Sequence, residues 1–461
     1  MKYTKSGAEQ VKIAYVGGGS RGWAWGLMSD LVCAQDMSGD VYLYDIDYEA
    51  AKNNEIIGNK YNSVDGAASR WNYKAVKTIE EALDGANFVV VSILPGTFDE
   101  MESDVHAPEK YGIYQPVGDS TGPGGIIRAL RTMPMMEKIA LAVRDNCPNA
   151  WVINYTNPMA LCIKAMYDAF PKIKAFGCCH EVFSTQKLMC DALEELRGIK
   201  PADRSEVRVN VVGVNHFTWL TEAKYRDIDV MPVYAEYAEK YKDGIEEKDS
   251  NWMNKVFRCR QQVKFDLFRR YGAVAAAGDR HLAEFCEGDW YLKNPEQVDS
   301  WGFGLTPVSW RKEKLKDRLA RSERLCTGEE ELKIDNTGEE GVMQMRAILG
   351  LSNLITNVNM PNEGQIPNLP LGAVVETNAI FTADSVKPVF AGEVPAGVYA
   401  MVARNVDNQI LVAEAARTKK LAPAFKAFVN DPLTRISLDD AKALFDEMIE
   451  NTKEYLKDYD I

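Results

Sequence analysis

Residues 11–16 read Val-Lys-Ile-Ala-Tyr-Val and run straight into Gly17-Gly18-Gly19-Ser20-Arg21-Gly22. No other stretch constrains the fold as much. A mostly apolar run suits a strand buried on both faces, as in the middle of a parallel sheet. The glycines allow a tight turn, and the helical stretch that follows offers free backbone N–H groups at its start. Four further runs repeat the theme: VYLYD from Val41, NFVVVSI from Asn87, AWVINYT from Ala150 and KAFGCC from Lys174. Helix-length segments lie between them, such as the one around Ala129 to Val143. This alternation predicts an α/β, Rossmann-like domain over residues 1–205, with a parallel sheet covered by helices on both sides.

The texture changes after residue 205. VRVNVVGVNHFTWLTEA alternates in the manner of antiparallel strands and places His216 within a strand. Charged helical patterns follow at 250–271 and 310–325. Residues 206–461 are assigned to an α+β C-terminal domain for substrate, metal and subunit contacts, with later elements packing back on the first domain. No internal repeat or low-complexity tract interrupts either half.

Charge and cysteine usage exclude several classes. A net charge of −13 over 461 residues argues against a nucleic-acid partner and against anionic lipid, although a few local cations suffice for an anionic substrate. Nine scattered cysteines, two of them adjacent at Cys178 and Cys179, fit a reducing compartment better than a disulfide framework. The N-terminal residues lack a signal-peptide pattern, and no run of about 18 apolar residues occurs. The expectation is a cytoplasmic protein without a membrane partner.

Gly17, Gly19 and Gly22 complete G-x-G-x-x-G between an apolar strand and a helical stretch, which is the context a dinucleotide pyrophosphate needs. Gly18, Ser20 and Arg21 complete the candidate loop. Asp45 follows the next strand, where a carboxylate holds ribose hydroxyls and disfavours a 2′-phosphate; it points to NAD over NADP. The plain alternative is an empty glycine turn with Asp45 capping a helix.

Only four histidines occur: His106, His180, His216 and His281. Cys179-His180-Glu181-Val182 and Asn154-Tyr155-Thr156-Asn157-Pro158 follow the last two apolar runs, at the strand ends where α/β sheets place ligand groups. Thiolate and imidazole together can hold a divalent ion with positions open for substrate, although buried cysteines and histidines more often simply pack. A glycine-rich loop, Val117-Gly118-Asp119-Ser120-Thr121-Gly122, presents Asp119 either to ligand or to its own backbone. Asp266, Tyr271 and Arg280 lie in a further polar stretch, DLFRRYG then GDRHLAEF.

The GGGS loop, NYTNP, GCCHEV, GVNHF and the GDRHL-type segment, in this order along nearly the full length, resemble glycoside hydrolase family 4. The resemblance implies a lactate/malate dehydrogenase-like fold, bound NAD, and a divalent metal, commonly manganese. By the same resemblance Cys179 and His216 match the metal ligands. Asn157 matches the asparagine that contacts the sugar near the metal, with Asn154 a second candidate. In the family, NAD takes hydride from the sugar C3 and a base removes the acidified C2 proton. The glycosidic oxygen then departs with help from an acid, water adds, and hydride returns. The resemblance gives Tyr271 as base with Asp266 as the alternative, and leaves His180 and Asp119 both open as the acid. A phenol with an ordinary pKa of roughly 10 needs help from metal or arginine for that role.

Phospho-sugar members carry Cys-Asn where this chain has Cys179-His180, which argues against a 6-phosphate. The CHEV form looks like the α-galacturonidase subgroup, with α-glucuronidase and then α-galactosidase or α-glucosidase as the alternatives. A uronate carboxylate needs a cation, for which Arg280 is the candidate beside a purely structural role. Family members are commonly homodimers or homotetramers. The rival classes are an NAD-dependent 2-hydroxyacid or malate-type dehydrogenase and a non-catalytic NAD-binding protein. Neither needs the cysteine and the second histidine.

Overall fold

The strands in chain order are β1 (Lys2–Thr4), β2 (Gly7–Val16), β3 (Met37–Tyr44), β4 (Trp71–Val76), β5 (Phe88–Val91), β6 (Trp151–Asn154), β7 (Lys174–Gly177), β8 (Val207–Val214), β9 (Phe217–Tyr225), β10 (Ile228–Asp229), β11 (Val274–Ala275), β12 (Leu354–Pro361), β13 (Val374–Thr382) and β14 (Ser385–Pro388). The computed structural model describes residues 1–246, 257–335 and 337–461. Each of the five apolar runs supplies a strand of one sheet. β4 was not among them, because WNYKAV buries Trp71 and Tyr73 but exposes the residues between, and so carries no continuous apolar run.

β2 to β7 pair in parallel in the order β4-β3-β2-β5-β6-β7. The winding reverses between β2 and β5, which opens a ligand crevice at the carboxyl ends of those strands. Successive side chains alternate between two cores: Val89 and Val91 of β5 join one, Phe88 and Val90 the other. β12 then pairs antiparallel with β7 through Asn359 opposite Gly177, and β13 and β14 follow in antiparallel order. Residues 354–388 therefore complete the sheet that residues 7–177 begin, a pairing that no local pattern announces.

The alternating stretch after residue 205 is two strands rather than one. β8 and β9 form a hairpin in which Val214 pairs with Phe217, so Asn215 and His216 are the turn. His216 is thus not within a strand; it sits in the left-handed region at φ 63°, where a non-glycine residue persists only if its surroundings hold it. β10 and β11 pair with β9 to complete a four-stranded sheet. The charged patterns become helices at Gln262–Tyr271 and Val308–Thr327; positions 250–256 of the first pattern lie outside the described residues. Among the described residues, no helix is long and apolar enough to cross a membrane. All nine cysteines are free thiols.

One buried cation braces the crevice. Arg131, on the helix Gly122–Asn146, donates from Nε to the Pro95 carbonyl beyond β5 (2.9 Å) and from Nη1 to Asp104 Oδ1 (3.0 Å). Both side chains of that pair are almost fully buried. Removing one partner of such a pair strands the other charge in a dry interior. Arg131→Met is expected to cost roughly 3–5 kcal/mol, read from urea unfolding against the wild type.

Candidate active site

The glycine loop is shaped by its own backbone. Gly17 N–H and Gly18 N–H both donate to the Tyr44 carbonyl at 2.9 Å, and Gly17 adopts φ 92°. A Cβ on Gly17 would stand 2.0 Å from the Ser92 carbonyl oxygen, so the turn admits no side chain. Gly22 caps the helix Trp23–Cys33, whose first N–H groups receive no capping side chain, the arrangement that suits an anion. Asp45 lies beside the loop and accepts from Gly19 N–H (2.8 Å) and Asp47 N–H (2.9 Å), while burial pushes its carboxyl pKa up. Arg21 faces Asp47 at 3.5 Å. Asn54, which sequence reasoning passed over, donates to the carbonyls of Gly18 (2.7 Å) and Ser20 (3.0 Å). A lone asparagine in a helix carries no motif, so nothing local could have flagged it.

A second group stands at the ends of β6 and β7. Candidate ligand atoms of Asp119, His216 and His281 lie within 4.8 Å of one another. Ser120 Oγ donates to Asp119 Oδ1 (2.7 Å) and lies 2.9 Å from His216 Nδ1. The hydroxyl has one proton, so with that proton on Asp119 the ring must donate through Nδ1, leaving the Nε2 lone pair free. Burial, then the neighbouring His281, lowers the His216 pKa to about 3 despite Asp119, so the ring is neutral and able to ligate. Asp119 is half-buried, which opposes charge. His216, His281 and Arg128 overcome that and hold its pKa at about 2. Asn157 Nδ2 donates to Asp119 Oδ2 at 3.2 Å, whereas its buried Oδ1 has no hydrogen-bond partner among the described residues. That orphaned acceptor points to a missing ligand. Oxygen and imidazole donors together suit a divalent ion such as manganese.

The loop carrying Asp119 is positioned by Glu284, whose Oε1 accepts Val117 N–H (2.6 Å) and Gly118 N–H (3.0 Å). Cys179 is buried, and burial with the charges of Glu376 and Glu181 raises its thiol pKa well above the ordinary value. Its carbonyl accepts from Asn357 (3.1 Å), which also donates to Glu376 (2.6 Å); Asn215 donates to the other Glu376 oxygen at 3.1 Å. Glu181 Oε1 lies 3.6 Å from His281 Nε2. His180 Nδ1 pairs with Glu339 at 2.9 Å, and its ring lies 6.3 Å from Trp23, the first residue of the helix after the glycine loop. Partial burial opposes protonation of His180, but Glu339 raises its pKa to about 9.

Asn157, Cys179 and His180 follow the strand ends where their motifs pointed. Asp119 and His216 reach the group from a loop and a hairpin turn, and the Cys179 sulfur stays outside the 4.8 Å cluster. Asn154 instead staples its own turn, donating to the Thr156 carbonyl (2.9 Å) and accepting Thr156 N–H (3.2 Å). Asp266 accepts from Tyr291 Oη (2.6 Å) and Arg270 Nε (2.8 Å), which occupies it structurally. Tyr271 packs edge-on against Trp219 at 6.3 Å and beside Gly397. Burial and Cys286 raise its pKa, the opposite of what a phenolic base requires. Arg280 lies half-buried with Nε on the Gly304 carbonyl (3.3 Å) and Nη2 on the Pro116 carbonyl (2.6 Å) and Thr306, so it supports the Asp119 loop. His281, Ser120, Glu181, Asn215, Asn357 and Glu376 entered the group unassigned; the first four lie within quoted motifs, whereas Asn357 and Glu376 carried no sequence signal. Loss of a general base costs about 10²- to 10⁴-fold in rate. Tyr271→Phe is expected to stay within about threefold of wild-type kcat, well short of that loss.

Comparisons with known proteins agree on one family. The profile described as family 4 glycosyl hydrolase matches residues 12–195, and that of the family 4 glycosyl hydrolase C-terminal domain matches residues 211–434. The α-galacturonidase of Thermoanaerobacterium saccharolyticum is 59% identical over 100% of both chains. The crystal structure of lplD from Bacillus subtilis superimposes with a TM-score of 0.91 at 51% identity, covering 96% of this chain and 100% of that one. A 6-phospho-α-glucosidase from gut microorganisms, solved with NAD and Mn2+, shares the fold at 21% identity and a TM-score of 0.78, over 97% of this chain and 99% of that one. The chain belongs to glycosyl hydrolase family 4.

Proposed function

We propose that the chain hydrolyses α-galacturonides, with NAD in the glycine loop and a divalent ion, manganese, at the Asp119 group. One observation carries the reading. A dinucleotide-shaped loop and a cation-shaped cluster meet at the carboxyl ends of one sheet, in a chain 59% identical along its length to an α-galacturonidase. NAD bound there supplies reversible hydride transfer at the sugar C3, and the ion supplies a positive charge against the oxygens of the ring.

The chain's own residues divide the remaining work. Asp119, His216 and His281 would hold the ion, joined by Cys179, whose sulfur lies outside their 4.8 Å group. Asn157 offers its unpartnered Oδ1 to ion or sugar hydroxyl. His180 stands between the cluster and the nucleotide loop with Nδ1 held by Glu339, which leaves Nε2 to give a proton to the departing glycosidic oxygen. Asp119 is the poorer acid, because Ser120 and Asn157 already occupy both its oxygens. For the C2 proton, Glu181 is the carboxylate nearest His281.

Reduced protein supplied with manganese, NAD and an α-D-galacturonide should release galacturonate without net NADH, and should stop when either addition is omitted. His216→Ala is expected to weaken manganese binding by at least about tenfold, measured by calorimetry. His180→Asn should lower kcat by about 10²- to 10⁴-fold while leaving that affinity in place. Turnover indifferent to NAD, or steady NADH formation from a hydroxyacid with no glycoside cleaved, overturns the reading.

A further inference from the structure

The helix Val308–Thr327 carries two arginines, half-buried Arg311 and exposed Arg318, that meet no carboxylate among the described residues. Positions 308, 311, 315, 318, 322 and 325 recur at helical spacing and line one face. Val308, Ser322 and Leu325 of that stripe are buried. Its middle is occupied by Arg311, Leu315 and Arg318. Four other cations of this helix are paired, Lys312 with Asp99 and Glu102, Lys314 with Asp317, and Arg321 and Arg324 with Glu330, while Lys316 is exposed. Arg311 and Arg318 make no ion pair or hydrogen bond among the described residues.

Each of the two points at a different part of the site. Arg318 Nη1 comes to 3.8 Å from where a Cβ on Gly22 would lie, at the cap that closes the glycine loop. Arg311 lies over the Phe257 ring at 5.8 Å, the ring that Arg280 covers at 4.6 Å. Arg280 in turn is bonded to Pro116, at the start of the loop that carries Asp119. Asp119 is also the carboxylate whose field acts most on Arg311. Seven residues of helix separate the two cations by roughly 10 Å along the axis. The half-buried Arg311 guanidinium, without a counter-charge, costs desolvation, which an anionic ligand offsets; exposed Arg318 stands accessible to one.

Resting on the galacturonide reading, we propose that Arg311 takes the sugar carboxylate and Arg318 the pyrophosphate of the dinucleotide. Arg311 is then the specificity-determining residue, in the place the sequence suggested for Arg280. One rigid helix sets the distance between the two anionic groups, and so between the sugar and the nucleotide.

The test separates the two arginines by what each variant binds. Arg311→Gln is expected to raise KM for an α-galacturonide, and the Kd for galacturonate, roughly 10- to 100-fold, the worth of one charged hydrogen bond. The same variant should leave the Kd for NAD, read by calorimetry, unchanged, and Arg311→Lys should recover part of the loss. Arg318→Gln should weaken NAD by a similar factor and leave galacturonate affinity alone. Both variants should keep the wild-type melting temperature. Unchanged galacturonate affinity in Arg311→Gln, or a shift in its NAD affinity instead, overturns the Arg311 assignment while the substrate reading stands. Unchanged NAD affinity in Arg318→Gln overturns the Arg318 assignment. A wild type that binds no galacturonate and cleaves only neutral galactosides overturns the substrate reading and the Arg311 assignment together.

Discussion

A single hydroxyl ties together the two loops at the centre of the cluster. Ser120 Oγ donates to Asp119 on a loop of the first sheet's domain and meets His216 on the β8–β9 turn. Because the hydroxyl has only one proton, it also decides which ring nitrogen of His216 keeps its own. The strained backbone at His216 follows from this: only the left-handed turn brings the imidazole to the serine, and the contacts it gains there offset the strain. Asp119, His281, Asn157 and the Cys179 backbone arrange themselves around that junction, so a shift of either loop would disperse the group.

The surroundings of the junction are electrically lopsided. Asp119 and Glu181 are both held ionised, with pKa values of about 2, in half-buried positions. Glu376, which is buried, is pushed up by desolvation. His216 is kept neutral, so the nearby imidazole contributes a lone pair and no compensating charge. A site with this balance is poorly satisfied by protein groups alone and is suited to a cation. Of the nearby guanidiniums, Arg128 and Arg280 are committed to backbone carbonyls, while half-buried Arg311 and exposed Arg318 have no carboxylate partner among the described residues.

Local sequence patterns carried the first sheet well because its strands are buried on both faces and therefore read as apolar runs. They failed at β4, where one face is exposed, and at His216, where one alternating stretch contained a turn without glycine or proline. The glycine loop and the motifs ending β6 and β7 were legible because their chemistry lies in consecutive residues. Glu376, Asn357 and Asn54 were not, since an isolated polar residue in a helix or strand looks the same whether it faces water or a ligand. Tyr271 and Arg280 show the converse: sequence proximity to GDRHL placed them near the site, but side-chain direction took the phenol to Trp219 and the guanidinium to Pro116.

What the chain's sequence determined by itself was the parallel sheet, the nucleotide turn and the family, all of which rest on short-range order: apolar periodicity, glycine freedom and contiguous motifs. Tertiary structure alone decided that residues 354–388 finish the first sheet and that His281 joins His216. It also decided that Arg280 turns to the Pro116 carbonyl. Those outcomes depend on where distant segments meet and which way their side chains then point, and both are settled only when the whole core packs.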